Sequence, residues 1–202
     1  MRYFIDNKHN LFFSTNKHLY FENIFNETDI NTIQKEILNI YKKRKSSLKE
    51  SEYELYRDLW RDSDLLLKKS KDIGKILLLL RREKLLRLAF DQVLHKDMPL
   101  PYLDETITLK TLSPIQGVIG GIFIFLSNTT PTPSTNFLFI KEDFEFTLKD
   151  LFENTSHLYL IAFSNLKAQY IFNENDLAAH KFKKLGYSYG DFLVDKYNPL
   201  II

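Results

Sequence analysis

The chain has 202 residues, 44% of them hydrophobic, enough for one sizeable core, and its 28 basic and 26 acidic side chains leave a formal charge of only +2. That balance lacks the basic excess of a dedicated nucleic-acid binder, so no nucleic-acid partner is expected. The sequence contains no cysteine, which excludes disulfides, thiolate metal sites and a cysteine nucleophile; it suits a reducing compartment, and a cytoplasmic location is the expectation.

The opening MRYFIDNKHN puts Asp6 and Asn7 where a secretory signal needs an apolar run, and the expectation is mature protein from the first residue. Tyr3–Ile5, Leu11–Phe13 and Leu19–Phe21 are short aromatic stretches separated by Asn and Lys, and they read as brief strands or extended segments at the edge of a domain. Ile30, Ile33, Ile37, Ile40 and Tyr41 then recur at helical spacing behind a Thr28 cap, predicting a helix that ends before Lys45–Ser47. Ser51 and Glu54 form a capping-box pattern opening a second helix, with Leu55, Leu59 and Trp60 on its buried side. Ser63–Asp64 and Ser70–Asp72 read as successive helix restarts, with Gly74 weakening the last and Ile73, Ile76, Leu77 and Leu80 packed inward.

By pattern alone Leu85–Leu94 fits either a helix or a strand. Downstream, Thr106–Leu112, Gln116–Ser127, Phe137–Ile140, Leu158–Phe163 and Ala168–Phe172 are β-rich and punctuated by Pro, Asn and Ser, as in an antiparallel sandwich. Pro131 and Pro133 mark Ser127–Asn136 as a surface connection, and Gly120–Gly121 reads as a bulge or close backbone approach. Asn173 or Asn175 caps one late helix, which Gly186 closes. The longest apolar windows, Ile76–Leu80 and Val118–Leu126, are far short of the roughly 20 residues that span a bilayer, and no membrane span is expected. The length favours a single domain over residues 1–202, mainly helical over 1–84 and mainly β over 85–202.

The stretch LRLAFDQVLHK, Leu86–Lys96, resembles the lead-in strand of phytanoyl-CoA dioxygenase-like proteins, where an apolar-Arg-Leu run is followed by Asp-Gln and then Lys. The resemblance extends over Ser51–Gly186 and makes Leu86–Leu94 a strand. It implies an α+β fold in which a helical N-terminal half precedes a double-stranded β-helix, or jelly roll. Active members of that superfamily hold Fe(II) with an H-x-D/E pair and a distal His, while a basic residue grips 2-oxoglutarate. His95-Lys96-Asp97, His157 and Lys167 offer those residue types in that order, with His95, Asp97 and His157 as the metal set and Lys167 as the 2-oxoglutarate anchor.

Register points the other way. The family's iron pair falls on the strand after the lead-in, and the corresponding segment here, Thr111–Gly117, has no His or Asp. The distal His of the family follows an apolar run, whereas LYLIAF is preceded by His157 and followed by Asn165 and Lys167. The leading expectation is therefore a dioxygenase-fold protein, similar to small bacterial members with an incomplete iron site. It would need no cofactor and bind an unidentified protein or small molecule. The alternative is an active Fe(II)/2-oxoglutarate oxygenase using His95, Asp97 and His157.

Other charged groups have plainer readings. His180 with Asp176 reads as a surface pair, the run Lys42–Lys49 as an exposed helix end, and His9 and His18 receive no role. Arg87, on the lead-in strand, needs a carboxylate, either Asp91 or a ligand, and Asp91 on the same strand face is the expected partner. No G-x-x-x-x-G-K-[ST], G-x-G-x-x-G or G-x-S-x-G motif occurs, which removes the usual support for phosphate-loop, dinucleotide and nucleophile-elbow chemistry.

Overall fold

The computed structural model describes residues 4–47, 49–100, 102–126, 136–178 and 180–202. Asp6 opens the first helix, α1 (Asn7–Asn16), through a capping box with His9. This local capping overrides the strand read at Leu11–Phe13, whereas Leu19–Phe21 does lie in a strand, β1 (His18–Glu22). Helix α2 (Glu27–Ser47) buries Ile30, Ile33, Ile37 and Ile40 as its periodicity predicts. The side chain of Asn26, not Thr28, accepts from the Asp29 N–H at its start, and the helix continues through Lys45–Ser47.

The Ser51–Glu54 capping box forms, but the helix it starts, α3 (Glu52–Leu55), lasts one turn. The chain breaks there because Asp58 takes a left-handed conformation (φ 54°, ψ 44°), after which Leu59–Asp62 form a 3-10 turn. Ser63 then caps α4 (Asp64–Arg81), which runs without the restart expected at Ser70–Asp72. Gly74 sits inside this helix because the sheet comes close: a Cβ there would lie 2.7 Å from Phe163 Cε1.

The remaining strands are β2 (Leu86–His95), β3 (Ile115–Leu126), β4 (Asn136–Lys141), β5 (His157–Tyr170) and β6 (Leu200–Ile201). Among the described residues they join β1 in one antiparallel sheet of order β1-β4-β3-β5-β2-β6. Leu158–Phe163 and Ala168–Phe172, read as two strands, share β5 up to Tyr170. Thr106–Leu112 is not a strand; Thr108–Thr111 turns, and only Ile107 makes a bridge, to Phe146. Residues 127–135 of the Pro-containing connection lie outside the described residues. The late helix is reduced to one turn, α5 (Lys181–Lys184), followed by Gly186 at φ +95°. A further turn, Leu148–Leu151, stands between β4 and β5.

Register shifts in β2 and β3 curl the sheet. In β2 the shift is an extra residue, Ala89, and the carbonyls of Leu88 and Ala89 both accept from the buried side-chain amide of Asn198. The bulge reverses the pleat between Arg87 and Asp91, so the two side chains leave opposite faces, and the expected Arg87–Asp91 pair does not form. Arg87 instead binds Asp195 (2.8 Å) and the Asn198 carbonyl (2.6 Å). Asp91 is fully buried and accepts from the N–H groups of Leu59 (2.6 Å) and Trp60 (3.0 Å) and from the Tyr159 hydroxyl (2.6 Å). One face of the sheet packs on α4 through Phe163 and Gly120, and the other buries Phe123 against Phe146 and Leu160 near Leu109.

Candidate functional site

Four candidate residues came from the sequence. His95 ends β2, His157 begins β5, and they are direct cross-strand partners with ring centroids 5.7 Å apart. Their surroundings are already engaged. His95 Nε2 lies 3.4 Å from Glu52 Oε1, the Tyr56 ring meets His95 edge-on, and His157 Nδ1 lies 2.9 Å from Ser156 Oγ. Burial and then the neighbouring His95 hold the His157 imidazole below its usual value, and Asp97 opposes them. Lys167 is exposed and ten positions along the same strand from His157. At about 3.3 Å per residue that places it roughly 30 Å away, too far for one small molecule to touch both.

A facial triad needs two imidazoles and a carboxylate converging on one point with positions left open. Among the described residues no group of three or more His, Cys, Asp and Glu is placed to hold a metal ion. Around Gly117, in the segment where the lead-in register would put the iron pair, other groups pack together. Gly117, at φ +93°, packs on Asn165, whose Nδ2 would be 3.1 Å from a Cβ there. Asn173 Nδ2 donates to the carbonyls of Thr111 and Ser113. These groups are amides and backbone carbonyls.

A different cluster is assembled by β2 and the segment before α4. The chain at 56–60 is strapped to β2: Val93 N–H donates to the Tyr56 carbonyl, Asp58 N–H to the Asp91 carbonyl, and the Asp91 carboxylate takes the next two N–H groups. This strap holds Asp58 in its left-handed conformation and projects Arg57 inward. The Arg57 guanidinium stacks 3.7 Å over the Phe90 ring and binds Asp176 at 3.2 Å, both side chains almost wholly buried. Burial pushes the Asp176 carboxyl up, and Arg57 opposes that rise. The expected Asp176–His180 surface pair is thus replaced, and His180 meets Glu54 at 2.5 Å.

On the outer side of the strap lies a cavity of about 330 Å³ whose lining includes Lys43, Arg44, Arg57, Arg61, Lys181 and Lys184. Arg44, expected in an exposed basic run, is buried at the end of α2. Its nitrogens donate to the carbonyls of Leu55, Arg57 and Asp58 and to the Asp62 carboxylate, closing the cavity wall. The sequence carries one local sign of this cluster, the repeated Arg-Asp of Arg57-Asp58 and Arg61-Asp62. Pattern reading places Leu59 and Trp60 inward and leaves those charged pairs to solvent.

No protein-family model matches this chain, and no curated protein sequence matches it. Solved structures do. The non-haem alpha-ketoglutarate-dependent carbocyclase SnoK from nogalamycin biosynthesis is similar with a TM-score of 0.70 at 12% identity, over 98% of this chain and 97% of SnoK. The non-haem alpha-ketoglutarate-dependent epimerase SnoN from nogalamycin biosynthesis is similar with a TM-score of 0.66 at 11% identity, over 96% of this chain and 98% of SnoN. CT296 from Chlamydia trachomatis has a TM-score of 0.52 at 14% identity, over 82% of this chain and 99% of CT296. At such identities the likeness is one of fold alone, a mixed helix-and-sheet chain with a curled antiparallel sheet.

Proposed function

We propose that this chain is a dioxygenase-fold protein without a working iron site, acting as a binding or interaction protein, as the phytanoyl-CoA dioxygenase-like lead-in strand suggests. On this reading the sheet is one wall of a jelly roll whose second wall is reduced to bridges such as Ile107–Phe146. The observation that carries it is the packing of Gly117 on Asn165, where the lead-in register would require an imidazole and a carboxylate. One feature favours the second reading, an active Fe(II)/2-oxoglutarate oxygenase: His95 and His157 are adjacent, and Asp97 lies close enough to act on His157.

Anaerobic titration with Fe(II) and 2-oxoglutarate separates the two. The expected outcome is no metal-to-ligand charge-transfer band and no change in melting temperature. A metal present at 100 times its Kd would stabilise by about 2.7 kcal/mol, a rise of roughly 5–11 °C. A rise of that order, lost in His95→Ala and in His157→Ala but kept in His180→Ala, would establish the oxygenase instead.

A further inference from the structure

We propose that the chain self-associates through the outer edge of β1, two copies pairing antiparallel about a twofold axis at Tyr20 so that one sheet continues into the other. Among the described residues β1 is an outer strand, bonded on one side to β4 in an unshifted register from His18↔Ile140 to Glu22↔Asn136. The Lys141 N–H donates to the carbonyl of its direct partner, Lys17, at 2.8 Å, and this bond fixes the alternation of the ladder. Leu19 and Phe21 turn their backbone groups to β4, while His18, Tyr20 and Glu22 turn theirs outward. Those outward N–H and C=O groups meet no partner among the described residues. Edge strands are usually blunted by a lysine, a proline or a bulge, and His18–Glu22 carries none of the three.

The side chains of the edge favour a second copy. With the axis at Tyr20, the strand HLYFE is its own complement: His18 faces Glu22 of the second copy twice, Leu19 faces Phe21, and every outward residue bonds another outward residue. Each carboxylate then meets an imidazole, and no like charges oppose each other. An axis at Leu19 or at Phe21 sets His18 or Glu22 against Tyr20 and leaves one outward residue facing beyond the strand. An aromatic strip flanks the chosen axis. His18, Tyr20 and Glu22 leave the same face, where the rings of Phe12 and His18, His18 and Tyr20, and Tyr20 and Phe125 have centroids 6.2, 6.1 and 6.5 Å apart. Phe144 lies 4.7 Å from His18. Tyr20 is 55% exposed and Phe12 47% exposed, so pairing adds apolar burial to the backbone bonds.

The pairing involves no iron and stands apart from the reading above. Sedimentation velocity of the full chain from about 1 to about 200 µM should show monomer and dimer in equilibrium, with a dissociation constant on the order of 10 µM, as suits an interface built on one strand pair. Tyr20→Lys, at an exposed position, sets two ammonium groups together at the axis and should raise that constant at least about tenfold. Tyr20→Pro removes an N–H that β4 does not use, and should leave a folded monomer. If Tyr20→Pro does not fold, Tyr20→Lys decides. The chain has no cysteine, so single cysteines report the register. Tyr20→Cys places two Cα atoms about 5.5 Å apart, and mild oxidation should capture a disulfide dimer. Glu22→Cys, about 13 Å from its copy, should not be captured. A monomer at every concentration, with the edge left to a strand of another protein, overturns the proposal. So does a dimer that Tyr20→Lys leaves unchanged, or one captured through Glu22→Cys faster than through Tyr20→Cys.

Discussion

Replacing Asp91 by Ala removes the acceptor of three buried donors, the N–H groups of Leu59 and Trp60 and the hydroxyl of Tyr159. Each unmet donor costs about 1–3 kcal/mol, so the gross loss is on the order of 6 kcal/mol. Against this stands the cost of the carboxylate itself. Burial, then Asp58, push its carboxyl from 3.8 to about 6, although the three donors pull it down. That difference corresponds to about 3 kcal/mol released when the charge is deleted at neutral pH, leaving a net destabilisation of about 3 kcal/mol. Asp91→Asn keeps an acceptor oxygen and discards the charge, and should cost about 1 kcal/mol or less. The folded carboxyl holds its proton more tightly than the unfolded one, so this group makes stability fall as pH rises from about 4 to about 6. Asp91→Asn should flatten that slope. Urea denaturation of the three proteins across this range is the assay. A loss under about 0.5 kcal/mol for Asp91→Ala would refute the strap.

Three other outcomes are expected. Gly74→Ala gains up to about 1 kcal/mol of helix propensity but drives a methyl into the buried Phe163 ring, and chemical denaturation should show a net loss of about 1–2 kcal/mol. Asn198→Ala strips the Leu88 and Ala89 carbonyls and the Tyr187 hydroxyl of their partner, and should cost about 3 kcal/mol in the same assay. The folded His157 binds its proton less readily than the unfolded one, so its contribution makes stability fall as pH drops through the ordinary value of 6.5. On an Asp91→Asn background, where the opposing slope is gone, His157→Gln should remove that dependence in thermal melts.

Much of the element order is legible because caps and periodicity are local. Ser51 with Glu54 and the isoleucine stripe of α2 announce themselves within a few residues. The lead-in strand does not. Nine of the ten residues of β2 are buried, so both faces are covered and the alternation that would distinguish a strand is absent. The proximity of His95 and His157 depends on the β2–β5 register, which no local pattern encodes. The exchange of partners at Arg87 and Asp91 turns on one bulged residue, Ala89, whose identity carries no sign of it. The basic cavity was hidden by the same assumption that works at most surfaces, that charged runs face water. Arg44 is buried where backbone carbonyls past the end of its helix accept from it, and Arg57 where Asp176, 119 residues away, does so.

The strand order also sets how the chain must emerge during synthesis. The sheet neighbours of β2 are β5 and β6, and neither exists until residues 157–170 and 200–201 have been made. At about 5–20 residues per second, the apolar LRLAF stretch waits for several seconds with both edges bare. In that interval α4 and the 56–60 strap, already synthesised, are native partners at hand. The strap's backbone bonds reach Asp91 and Val93, so that half of β2 has a native partner on one edge before its own sheet arrives.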